Sequence, residues 1–94
     1  GMGASGLGVE AAARTAAVLS TGAEGAIPLK EGYAAAMAAQ NTSYACVEKN
    51  IRSMVGKLQA GACGEYQALM GGLPAERPSN ELFLRRLARR ILEW

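Results

Sequence analysis

From Tyr33 to Leu58 the apolar residues recur at steps of three and four. Met37, Tyr44, Val47, Ile51, Met54 and Leu58 fall on one seam, with Gln40 in the single polar slot. That spacing is the heptad pattern of a helix that lays one edge against another helix. The opposite face carries Glu48, Lys49, Arg52 and Lys57, and Glu48 to Arg52 is a favourable i,i+4 pair. No proline interrupts the stretch, so it is expected to form one long rod of ~40 Å at 1.5 Å per residue. A rod of that length needs a neighbouring helix, from this chain or another.

A second pattern closes the chain. On a helical wheel Phe83, Leu84, Leu87, Ala88, Ile91 and Trp94 share one face, while Arg85, Arg86, Arg89 and Arg90 share the other. Ser79 or Asn80 can cap this helix, and Glu81 suits the positive end of its dipole. The helix is expected to fold back so that Phe83, Leu87, Ile91 and Trp94 meet Val47, Ile51, Met54 and Leu58. Between the two patterns, GEYQALM offers a short apolar patch of one or two helical turns. Gly71-Gly72 stops it, and Pro74 and Pro78 make the following stretch a non-helical connection.

The N-terminal third is weaker. Residues 1–8 form a glycine-rich tail, and residues 9–94 form a single helical domain. Val9 to Ser20 is helical on alanine propensity, with a faint stripe at Leu7, Ala11, Val18 and Leu19. Thr21-Gly22 ends that helix, and Gly22, Gly25, Pro28 and Gly32 punctuate the connection after it. Nothing alternates with period two over a useful length, so strands are not expected. The expected fold class is all-α, a small helical hairpin or three- to four-helix bundle around one long heptad-patterned central helix.

Composition sharpens this picture. Half of the chain is hydrophobic, but much of that half is alanine, and only five residues are aromatic: Tyr33, Tyr44, Tyr66, Phe83 and Trp94. Burial contributes ~25 cal/mol per Å², so alanine adds little. A core this thin predicts extra burial through self-association or a partner. The expected partner interface is Tyr44, Val47, Ile51, Met54, Leu58, Phe83, Leu87, Ile91 and Trp94.

Ten basic residues against eight glutamates leave a net charge of +2, too small by itself to imply a polyanion. The distribution says more. Arg85/Arg89 and Arg86/Arg90 are like-charge i,i+4 pairs that disfavour the isolated helix by a few tenths of a kcal/mol each. The cluster is either a solvated face or a contact for an acidic partner through Arg85, Arg86, Arg89 and Arg90. A phosphate backbone and an anionic membrane surface are the other acidic candidates. No helix-turn-helix pattern leads into the helix, and no aromatic is interleaved for base stacking.

The chain contains no histidine and no aspartate, which removes Ser–His, Cys–His and Asp-based catalytic arrangements. No phosphate loop occurs, and Gly1, Gly3 and Gly6 match GxGxxG without the preceding strand that motif requires. No metal or cofactor is expected, since Cys46 and Cys63 fit no zinc spacing. They read as two small, partly buried thiols, with a redox switch as the sharper alternative. Asn41-Thr42-Ser43 matches the glycosylation pattern but falls within the expected rod. No apolar run approaches a membrane span and nothing resembles a signal peptide, so a cytoplasmic protein is expected. The functional expectation is a non-catalytic helical protein–protein interaction or assembly module, self-associating or bound to another protein. The alternative is a small nucleic-acid-binding regulator that uses the arginine helix.

Overall fold

The computed structural model describes residues 6–22 and 26–92. Among them are five helices and no strand: α1 (Gly6–Leu19), α2 (Leu29–Gln40), α3 (Tyr44–Gly61), α4 (Gly64–Met70) and α5 (Asn80–Leu92). Residues 1–5 of the expected tail, and Trp94, lie outside the described residues. Gly6, Leu7 and Gly8 belong to α1, so that helix starts ahead of Val9.

The alanine-rich α1 is the middle of the molecule and touches α2, α3 and α5. Ala11, Ala12, Thr15, Ala16 and Leu19 are its buried face. Small residues work here through distance. A Cβ on Gly8 would lie 2.6 Å from the Asn50 carbonyl oxygen of α3. A Cβ on Gly32 of α2 would lie 2.6 Å from Thr15 Cγ2 and 3.0 Å from the Thr15 carbonyl oxygen. Backbones that close gain many weak dispersion contacts, which compensates for the little area each alanine buries. Gln40 fixes the same junction by donating to the Leu7 carbonyl over 2.9 Å.

The expected rod is two helices. Asn41 adopts a left-handed conformation, with φ of 51°, and its N–H closes α2 onto Met37 and Ala38. Asparagine tolerates that region better than most residues. Ser43 then caps α3, its Oγ accepting from the Cys46 N–H at 3.3 Å. The glycosylation-like triplet is therefore the joint between helices rather than part of one. Val47, Ile51, Met54 and Val55 are the buried residues of α3, while Tyr44, at its start, is half-exposed. The Tyr44 ring meets Tyr33 edge-on at a centroid distance of 5.1 Å.

α3 is capped by Ala62, also left-handed with φ of 50°, and α4 is capped by Gly71. Two side-chain bonds hold the region after α3. Tyr66 donates to Gln59 Oε1 at 2.7 Å, and Gln59 Nε2 donates to the Pro74 carbonyl at 2.6 Å. Ser79 caps α5 by accepting from the Leu82 N–H. Buried Asn80 donates to the Tyr33 hydroxyl at 3.2 Å and to the Glu48 carbonyl at 3.0 Å, tying α5 to α2 and α3. α5 packs Phe83, Leu84 and Ala88 into the core.

Four residues of the expected partner interface lie in the core of the chain. Val47, Ile51, Met54 and Phe83 are buried inside the chain. α1, α2 and α5 cover the three α3 residues, and Phe83 stacks on Tyr66 of α4. The helix that supplies most of that cover is the one with the faintest stripe.

Candidate interaction surface

α4 is only seven residues long and leans on α5. Two turns span ~10 Å, too little to cover the apolar flank of a longer helix. A groove of about 510 Å³ stays open between them. Leu58, Tyr66, Leu69, Phe83 and Leu87 form its apolar lining, with Glu65 and Arg90 among the charged lining residues. Tyr66 and Phe83 stack at 6.4 Å and 28° beneath it, and both are nearly fully buried. A smaller hollow of about 230 Å³ adjoins the groove and is lined by Ala68, Leu69, Arg86, Arg89 and Arg90. Ala68, Leu69 and Arg90 belong to both, so the two form one continuous surface.

The four arginines divide. Arg85 is half-buried and committed. Its guanidinium donates to the Ile27 carbonyl at 2.9 Å and pairs with Glu81 at 3.3 Å. It fastens the segment before α2 to α5. Arg86, Arg89 and Arg90 are exposed and surround the hollow.

The other expected interface residues scatter. Leu58 and Leu87 are half-buried and line the groove, Ile91 is half-buried, and Tyr44 stands away from it beside Tyr33. Tyr66 and Leu69 complete the α4 wall. Their apolar patch is visible in GEYQALM, but no sequence signal places it beside α5.

Both cysteines are exposed and free, contrary to the expected partial burial. Cys46 sits in the first turn of α3. Hydrogen bonding to Ser43, then to Thr42, holds its thiol below the ordinary value, and Lys49 adds to the effect. Cys63 precedes α4 and lines the groove. Burial pushes the Tyr33 phenol up, against the opposing hydrogen bond from Asn80, and burial also raises Tyr66.

Among the described residues no cluster of His, Cys, Asp or Glu is arranged to hold a metal ion, and no helix is long and apolar enough to cross a membrane. Comparison with protein-family models, curated proteins and solved structures finds no match.

Proposed function

We propose that this chain is a small helical protein–protein interaction or assembly module whose docking surface is the α4–α5 groove. One observation carries the reading: the groove stays open and apolar although the core beneath it is complete. Apolar surface rimmed by charge is the usual form of a contact site. Leu58, Leu69 and Leu87 supply the contact, and Arg86 and Arg90 supply orientation. Self-association through the same groove is one form of this function.

The test is a selection of displayed helical peptides on the wild-type chain, counter-selected on Leu69→Glu/Leu87→Glu. Binders that vanish with the double variant and shift the amide resonances of α4 and α5 support the module. Binders that map elsewhere, or none, remove it. Sedimentation across concentration reports self-association separately.

The exposed trio Arg86, Arg89 and Arg90 favours a second reading, a nucleic-acid-binding regulator. Binding of that kind weakens steeply with salt. Among the described residues, buried Tyr66 and Phe83 offer no stacking platform beside the trio, which is why the protein-docking reading stands first.

A further inference from the structure

The groove also carries information about its occupant. We infer that it receives an acidic amphipathic helix from another protein, its apolar side on Leu58, Leu69 and Leu87 and its carboxylates on Arg86 and Arg90. This rests on the docking reading above and adds the chemistry of the partner.

Three observations lead there. The first is charge. Arg86, Arg89 and Arg90 surround one hollow next to the groove, and its remaining lining residues, Ala68 and Leu69, are uncharged. Arginine forks match carboxylates in bidentate geometry, so the complement of this hollow is a set of carboxylates. The second is spacing. Arg86 and Arg90 stand at i and i+4 on α5, one turn apart. A helix with acidic residues at three- and four-residue steps, flanked by apolar ones, presents the matching row. The third is the backbone. The described residues contain no strand whose edge could pair with an extended peptide. A segment entering an apolar groove must then satisfy its own N–H and C=O groups, and a helix does so.

The same observations weigh against a second copy of this chain. Each of the five helices carries a single glutamate: Glu10, Glu31, Glu48, Glu65 and Glu81. Glu10, Glu48 and Glu81 are already paired with Arg14, Arg52 and Arg85 on their own helices. Among the described residues no helix presents a row of carboxylates. Glu65, on the groove lining, disfavours acid at its own position. The occupant's acidic row therefore lies toward α5 and not toward the first turn of α4.

The experiment uses the full chain and fluorescent peptides of about four turns. One is a Leu/Glu amphipathic helix, one has the same apolar positions with Lys for Glu, and one is a scrambled Leu/Glu sequence. A single-stranded oligonucleotide and mixed phosphatidylglycerol/phosphatidylcholine vesicles are run beside them. Anisotropy at physiological salt compares the wild type with Arg86→Glu/Arg90→Glu and with Glu65→Lys, each first shown to be folded by circular dichroism. The arginines are exposed, so their replacement leaves the core untouched.

The expected result is that the acidic amphipathic peptide binds at least about tenfold more tightly than the other two peptides. The double arginine variant reverses that preference, and Glu65→Lys strengthens acidic binding. Equal binding of acidic and basic amphipathic peptides overturns the acidic partner but leaves the docking groove standing. Equal binding of the scrambled acidic peptide, or tighter binding of oligonucleotide or vesicles, overturns it in favour of charge alone. A dimer that dissociates with the same variants overturns it in favour of self-association. Absence of any peptide binding at about millimolar concentration removes both the inference and the groove reading.

Discussion

The two flanks of this bundle are built from opposite materials. Where α1 meets α2 and α3, α1 contributes mostly small residues, with Gly8 and Gly32 set against a neighbour's backbone or side chain at distances that leave no room for a methyl group. Where α4 meets α5, the contact is leucine, tyrosine and phenylalanine, and a groove of about 510 Å³ remains. Small residues on long helices close an interface because the backbones themselves can touch. Large side chains on a two-turn helix cannot, because the helix ends before it has covered its neighbour. The tight flank sets the fold, and the loose flank leaves the surface on which a function can be placed.

The sharpest way to break this contrast is to make the same deletion on both sides of α5. Leu84 is fully buried toward the core, whereas Leu87 is half-buried on the groove. Leu84→Ala is expected to lose ~2–5 kcal/mol in urea unfolding, because it leaves a cavity in packed surroundings. Leu87→Ala is expected to lose less than about 1 kcal/mol, since it enlarges a space that is already open. Equal losses would show that the groove is closed in solution.

Glycine substitutions give the next contrast, and here the sign itself should change. Gly32→Ala places a methyl 2.6 Å from Thr15 Cγ2, which forces α1 and α2 apart. A loss of ~1–3 kcal/mol from overpacking is expected, even though alanine favours helix by up to ~1 kcal/mol. Gly61→Ala meets nothing within 4 Å, so only the backbone gain of roughly 0.4–1 kcal/mol remains. Thermal melts of the two variants should therefore move in opposite directions. A Gly32→Ala protein that melts higher than wild type would refute the close packing of α1 on α2.

A smaller gain is expected inside the tight flank. Thr15 Oγ1 is buried with no hydrogen-bond partner among the described residues. Thr15→Val keeps the shape and removes the unpaired hydroxyl, and about 1 kcal/mol of stabilisation is expected in urea unfolding. A loss of stability would mean that the hydroxyl has found a partner, such as an ordered water.

The contrast between flanks also explains what the sequence could reveal. The last helix is legible in its Ser79 cap and its apolar and arginine faces, because those signals are local and mutually consistent. The break at Asn41 was hidden by a stronger pattern, since the steps of three and four run through Met37 and Tyr44 without a gap. Only the left-handed Asn41 and the Ser43 cap separate the helices, and both residues are also tolerated inside one. The central place of α1 was illegible for another reason: periodicity weighs apolar bulk, and this helix packs by lacking it. The second partner of Arg85, the Ile27 carbonyl, is a backbone group that no side-chain pattern encodes. For the site, Leu87 and the arginine face were visible on the wheel, but the α4 wall depends on a tertiary contact.

The least effect expected is a pH dependence, and it again distinguishes the flanks. Burial raises the Tyr33 phenol above its ordinary value of 10.0, with Tyr44, Glu48 and Glu81 adding to the shift and the Asn80 hydrogen bond opposing it. Tyr66, under the groove, is raised by burial alone. A raised phenol keeps its proton in the folded state at a pH where the unfolded chain has begun to lose it. Stability from this source is therefore fully present below pH 10.0 and falls as pH rises through the folded value. Lysine titration overlaps this window, so the informative quantity is a difference between proteins. Urea unfolding of wild type and Tyr33→Phe should run parallel below about pH 9 and converge above about pH 10, as the wild type alone gives up Tyr33's share. The same comparison with Tyr66→Phe tests the loose flank. There the lost hydroxyl also frees Gln59 Oε1, so a constant offset at low pH should accompany any convergence. Curves that stay parallel throughout for Tyr33→Phe would mean that its hydroxyl is already in contact with water, and that the junction of α2, α3 and α5 is looser than the Asn80 hydrogen bonds require.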